Sequence, residues 1–244
     1  MAERTAVWIS GASSGIGAAL AESVPYADAH VIGISRRPPA VGEHLETDLG
    51  SPDARPRIAK HFEDVLASGE FTHAVFMHMS GTGEPAATVV DADAGDYTAA
   101  VLLNSASGQV LGQSFLSACR RADVQATLCL CSSPAAANPA PEVSHYGAGK
   151  SALKYWAAAV ALETEGWAKV FSVVPFAVDT PMVRQAMDEL PPGHPIGDHL
   201  RSSAESGRLA TSDATAAEIW GLATDASTSG AAVPVGAVPG GVGA

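Results

Sequence analysis

Apolar residues along this chain gather in short runs, and nearly every run is followed by glycine, serine or proline and then by a stretch with helical spacing. The runs fall at residues 5–9, 30–34, 72–79, 126–131, 169–174 and 231–235, and a further short strand is expected to lead into Thr47-Asp48-Leu49. Short apolar runs bounded by turn residues read as strands buried on both faces. Between them, helices are expected over about 52–68, 92–121, 144–160 and 213–224. Strands alternating with helices throughout predict one α/β domain over residues 1–244: a doubly wound parallel sheet of about seven strands, right-handed crossovers, and helices on both faces. Residues 182–209, rich in Met, Pro, His and Gly, are the most loop-like stretch, and a substrate lid is expected at about 181–210. The helix from residue 144 carries little charge on any face, so it is expected to pack against a second subunit as well as its own sheet, giving a homodimer or homotetramer.

Charge narrows the partners. A formal net charge of −12 argues against nucleic acid or anionic membrane as a partner, so any anionic ligand must be held by a local device. Cys119, Cys129 and Cys131 are odd in number and lack CxxC spacing, which reads as reduced core thiols in a cytoplasmic protein. No stretch approaches the roughly 20 apolar residues of a membrane span, the start of the chain does not read as a signal peptide, and no metal site is expected.

The first strand runs into Ser10-Gly11-Ala12-Ser13-Ser14-Gly15-Ile16-Gly17 and then into a helix. Strand, glycine turn and helix in that order make a seat for phosphate, because the glycines let the backbone come close and the helix offers free N–H groups and a favourable dipole. Gly11, Ser13, Ser14, Gly15, Ile16 and Gly17 are therefore expected to hold a dinucleotide. The second strand ends in Arg36 and Arg37 with no acid, which predicts NADP rather than NAD, since arginine accommodates a 2′-phosphate. Asp48 and Leu49 are expected near the adenine, and Ser80 and Gly81 beside the cofactor at the end of the fourth strand. Ser133 closes the fifth strand, at the edge where a parallel sheet binds ligands. Tyr146 and Lys150 stand four apart, so a helix stacks them on one face, and a nearby ammonium is expected to draw the phenol's pKa down and ready it for proton transfer. Alone, that spacing is weak and commonly marks a surface Tyr lying on a Lys stem. Asn104 falls near the middle of a long helix, where an amide is mildly unfavourable.

With the glycine motif, Asn104, Ser133, Tyr146 and Lys150 in this order, the chain resembles the short-chain dehydrogenase/reductase family over essentially its whole length. The resemblance implies a Rossmann fold and an NAD- or NADP-dependent hydride transfer between nicotinamide and a carbonyl or alcohol carbon. It assigns Tyr146 as general acid/base, Ser133 as the hydroxyl on the substrate oxygen, Lys150 as ribose ligand and pKa modifier, and Asn104 as holder of a water in a proton relay. It further suggests that the Val178 backbone and the Thr180 side chain contact the carboxamide. Two departures stand out: His78-Met79-Ser80-Gly81 replaces the usual Asn-Asn-Ala-Gly, and Pro175-Phe176 replaces Pro-Gly. The Val178-to-Met182 stretch and the region around Arg201 are similar to the sepiapterin and benzil reductase branch. The acid with which that branch recognises a pterin has no match here, which leaves a ketone or diketone, aromatic ones included.

Pro134, His145, Phe176, Met182 and Met187 are the pocket candidates. The expected activity is NADPH-dependent reduction of a small-molecule carbonyl with Tyr146 as general acid. Pteridine reduction, alcohol oxidation by the same site, and non-catalytic NADP sensing are the alternatives.

Overall fold

Seven strands form: β1 (Thr5–Ser10), β2 (Ala29–Ser35), β3 (Glu43–Glu46), β4 (His73–His78), β5 (Gln125–Cys131), β6 (Ala168–Pro175) and β7 (Ala232–Val235), six of them from the apolar runs and β3 with Leu45 alone buried. Every residue of β1 is buried, as a strand covered on both faces requires. In the computed structural model, which describes residues 4–237, they form one parallel sheet in the order β3-β2-β1-β4-β5-β6-β7. The glycine-rich end of the chain lies outside the described residues. Strand order reverses between β1 and β4, and the crevice beyond the carboxyl ends of such strands is where open α/β sheets bind ligands.

Alternation along β1 splits the core in two. Trp8 points to one face, where it meets Phe62, Phe76 and Phe115, with the Trp8 and Phe62 rings edge to face at 5.1 Å. Val7 and Ile9 point to the other, against Leu20, Phe171, Ile219 and Trp220. The helices covering these faces are α1 (Gly15–Glu22), α2 (Ala54–Leu66), α3 (Ala94–Val101), α4 (Ser107–Ala122), α5 (Ser144–Glu163), α6 (Pro181–Glu189), α7 (Pro195–Glu205) and α8 (Ser212–Thr224).

Two expectations need correction. The helix expected over 92–121 is interrupted by a π-turn at Leu102–Ala106, which contains the buried Asn104. The lid expected as loop is largely helical. Pro181 and Pro195 each begin a helix, a place where the missing N–H is no loss, and Thr180 and His194 cap the two starts. Arg201 ties the pair together by donating to the carbonyls of Met187 and Leu190 at 2.7 and 3.0 Å. Helix α5 buries Leu153, Ala157, Val160 and Ala161 against its own domain, while Tyr155 and Leu162 stay about four-fifths exposed.

Candidate active site

The carboxyl ends of β1, β4, β5 and β6 bring the expected residues to one edge of the sheet. Gly11 and Gly15 have φ of +72° and +56°, the left-handed region that glycine enters without strain. A Cβ on Gly17 would lie 2.4 Å from the Gly11 carbonyl oxygen, so only glycine lets the helix start this close to the turn. Ser14 makes no side-chain capping bond, which leaves the first amides of α1 free of a competing acceptor from that residue. Thr180 reaches the same turn: a Cβ on Gly15 would sit 3.1 Å from its Cγ2. Its hydroxyl also accepts from the Val183 amide at 3.3 Å, and Val178 is buried beside it.

Arg36 and Arg37 are exposed at the end of β2, and neither guanidinium forms an ion pair with a described residue. Asp48 uses a carboxylate oxygen on the Gly50 amide at 2.9 Å, holding its own turn, with Leu49 buried behind it.

Lys150 is 2% exposed and donates to the Cys131 carbonyl at 2.9 Å, with its ammonium 5.6 Å from the centre of the Tyr146 ring. Gly81 lies directly over it, since a Cβ there would meet Nζ at 3.0 Å. Ser133 sits beside the Tyr146 phenol closely enough to ease its ionisation, and its hydroxyl accepts the Ala135 amide at 3.2 Å. The expected direction of the Tyr146 pKa is wrong. Tyr146 as a whole residue is partly exposed, yet protein atoms crowd its hydroxyl, and that burial pushes the phenol up to about 12; the Cys131 thiol adds to the rise and the Ser133 hydroxyl offsets part of it. The ammonium that was to lower it is committed to a carbonyl instead, and burial lowers Lys150 in turn.

Asn104 spends both ends of its amide on Thr82, donating to the carbonyl and accepting from the N–H, each at 2.9 Å. Each end of the amide keeps one further site, an N–H and an oxygen lone pair. Its backbone carbonyl and Cβ lie against α5, where Gly149 has no Cβ to crowd them.

Of the pocket candidates, Met182 lines an open cleft with about 330 Å³ of free space, together with Val143, Ala186 and Leu190 and the polar Glu84 and Gln185. His145 does not line it; its Nε2 lies 3.0 Å from the carbonyl of Glu84, which does, and its ring packs on Tyr97 at 5.4 Å. Pro134 opens the short turn Pro134–Ala136, Phe176 is 40% exposed, and Met187 gives its carbonyl to Arg201. Sequence reasoning missed Thr82 and Glu84, which lie in the loop after β4, and Gln185 of α6, which donates to the Glu84 carboxylate at 3.3 Å. It also missed the buried network around His78, although the His in place of Asn was the visible signal.

The family model of short chain dehydrogenases matches residues 5–191. The chain belongs to the short-chain dehydrogenase family. As a member it has the fold of a dehydrogenase or reductase that works with a nicotinamide dinucleotide. No curated protein matches it in sequence. Among solved structures it is similar to ligand-free aldohexose dehydrogenase of Thermoplasma acidophilum, at 20% identity and TM-score 0.79 over 99% of this chain and 98% of that one. A 4-hydroxyisoleucine dehydrogenase complexed with NADH aligns at 17% identity and TM-score 0.78, over 98% and 100% of the two chains. A Beutenbergia cavernae protein assigned as an NAD(P)-dependent gluconate 5-dehydrogenase and solved with NADP aligns at 23% and 0.76, over 96% and 95%. At these identities the likeness speaks for the short-chain dehydrogenase fold and not for a substrate. Among the described residues, no helix of this family member is long and apolar enough to cross a membrane, and no cluster of three His, Cys, Asp or Glu side chains could hold a metal ion.

Proposed function

We propose that the chain is an NADPH-dependent reductase that converts a ketone or diketone to an alcohol, with Tyr146 as proton donor. The observation that carries this reading is the convergence of Ser133, Tyr146 and Lys150 on one point of the sheet edge, beside Gly81. The glycine turn fits a dinucleotide pyrophosphate, because Gly11, Gly15 and Gly17 leave the backbone open where side chains would fill it. When bound, the reduced nicotinamide supplies the hydride.

The chain's own residues handle the oxygen and the proton. Ser133 and Tyr146 orient the carbonyl oxygen and meet the charge that builds on it, with donors already in place. Tyr146 passes its proton to that oxygen, and the Lys150 ammonium, 5.6 Å from the ring centre, offsets part of the cost of burying the phenolate left behind. A phenol pushed up to about 12 keeps its proton at neutral pH, which suits the donor direction. Alcohol oxidation needs the phenolate, so its rate is expected to rise about tenfold per pH unit through the neutral and mildly alkaline range while reduction stays flat. Initial rates in both directions across a common pH series check this, and parallel profiles would contradict it.

The two arginines support NADP. Replacing Arg36 and Arg37 together with Ala is expected to raise the NADPH Kd about 30-fold and the NADH Kd less than about twofold, because only the 2′-phosphate loses charged donors. Fluorescence titration with each nucleotide reads the difference. The apolar lining of Val143, Met182, Ala186 and Leu190 supports a largely apolar carbonyl compound. The uncovered Tyr155 and Leu162 on α5 support a homo-oligomer, and three unpaired cysteines support a reducing, cytoplasmic setting. NADPH oxidation with a panel of aryl ketones and diketones tests the whole reading. Turnover is expected; normal nucleotide binding with no turnover on any of them would favour the non-catalytic sensor.

A further inference from the structure

Three buried side chains outside the proton-donating set form a chain beneath the site. Ser10 ends β1, His78 ends β4 in direct register with it, and Ser107 begins α4. All three are inaccessible to solvent. The Ser107 hydroxyl donates to the Leu103 carbonyl at 2.5 Å, so it accepts from His78 Nε2 at 3.1 Å. At the other end, Ser10 Oγ accepts the amides of Met79 and Ser80 at 3.0 and 3.1 Å, so its proton goes to His78 Nδ1 at 3.0 Å. Both ring nitrogens are then satisfied with the imidazole neutral and its proton on Nε2. Burial, helped by the Lys150 charge, pushes His78 down to about 3 and keeps it in that form.

Each end of this relay reaches the site. The amides held by Ser10 lead directly into Gly81, the residue that lies over Lys150. Ser107 in turn controls the π-turn. In an α-helix its amide would bond Leu103; here it bonds the Leu102 carbonyl, one residue further back, and its hydroxyl takes Leu103 instead. A π-turn leaves a carbonyl short of its usual partner and persists where another group satisfies it. That turn carries Asn104 and so sets the grip on Thr82. Gly108 makes room for the ring, since a Cβ there would lie 3.2 Å from His78 Nε2.

We infer that His78 is a positioning residue with two separable arms. Through Ser10 it sets the backbone that leads into Gly81, and through Ser107 it holds the π-turn that presents Asn104 to the loop above Lys150. The inference rests on the reading that these loops form the floor of a dinucleotide site.

The arms can be cut one at a time. His78→Asn keeps an acceptor near the Nδ1 position and loses the reach to Ser107; His78→Gln keeps a donor near Nε2 and loses the fit to Ser10. Ser107→Ala and Ser10→Ala cut the same bonds from the far side. With the Ser107 arm cut, hydrogen exchange on the protein without added nucleotide should speed up at the Thr82 amide by more than about tenfold, with β6 amides unmoved. In the same variants kcat should fall about tenfold with the NADPH Kd within about threefold of wild type. With the Ser10 arm cut, the NADPH Kd should rise about tenfold while kcat at saturation falls by less than about threefold. Faster exchange across the whole sheet, with no split between Kd and kcat, would make His78 a packing residue and overturn the inference. Exchange needs no substrate, so the two readings can fail separately. Separable arms in a protein that reduces no carbonyl would sink the proposed activity alone, and normal turnover with inseparable arms would sink the relay alone.

Discussion

Replacing Tyr146 with Phe is expected to lower kcat for carbonyl reduction by about 10³-fold or more, while the NADPH Kd stays within about threefold of wild type. The substitution removes one oxygen and keeps the ring, so packing around α5 changes little. What is lost is the donor at the point where charge develops. Ser133 still offers a hydrogen bond to that oxygen, but its proton is held too tightly to be given up, so the barrier rises by the whole transfer step. Ser133→Ala should cost less, about 10- to 100-fold, because the proton itself is still delivered. Stability should move by about 1 kcal/mol at most, since the side chain beside the phenol that eases its ionisation is the neutral Ser133 hydroxyl. Stopped-flow single turnovers, nucleotide titration and thermal melts on the same preparations separate these effects. A Phe variant that kept a tenth of wild-type kcat would remove Tyr146 from the chemistry.

How much of this was legible in the sequence depends on how local each feature is. Six of the seven strands were readable to within a residue or two because a strand buried on both faces leaves an unbroken apolar run, as in Val75, Phe76 and Met77; β3, with only Leu45 buried, leaves none. The glycine turn was readable because its pattern of three glycines lies within a single strand-turn-helix unit, and the contact that demands Gly17 is with Gly11 and Ala12 in that same unit, although Gly11 and Gly15 also meet Ser80 and Thr180 from elsewhere in the chain. The spacing of Tyr146 and Lys150 put both on one helical face, but it could not say where the ammonium would point. That depends on the Cys131 carbonyl, which β5 delivers from nineteen positions earlier. The π-turn was invisible for the same reason, since the group that sustains it, Ser107, is held by a histidine at the end of another strand. The loop-like reading of residues 182–209 failed differently. Proline is a mark of both loops and helix starts, and only the capping bonds from Val183 to Thr180 and from Gly197 to His194 decide which.

Replacing Gly17 with Ala is expected to weaken NADPH binding about 100-fold and to cost about 3 kcal/mol of stability, a large effect for a single methyl group. The added carbon would lie 2.4 Å from the Gly11 oxygen, 2.7 Å from the Gly11 carbon and 3.2 Å from the Ala12 nitrogen. All three are backbone atoms, so no side chain can swing aside, and either α1 must retreat from the turn or the turn must open. Both outcomes move the first amides of the helix away from where a phosphate would sit, which couples the stability loss to the binding loss. Two other glycines separate crowding from conformational strain. Gly83 has open space around it and no positive φ, so Gly83→Ala should change stability by less than about 0.5 kcal/mol. Gly69 is equally uncrowded but has φ of +71°, so Gly69→Ala should cost about 1 kcal/mol through backbone strain alone and leave nucleotide binding intact. Denaturant unfolding and fluorescence titration of the three variants give the comparison. If Gly17→Ala unfolds and binds NADPH as Gly83→Ala does, the close approach of helix and turn is not what seats the dinucleotide, and the phosphate must be held by other groups.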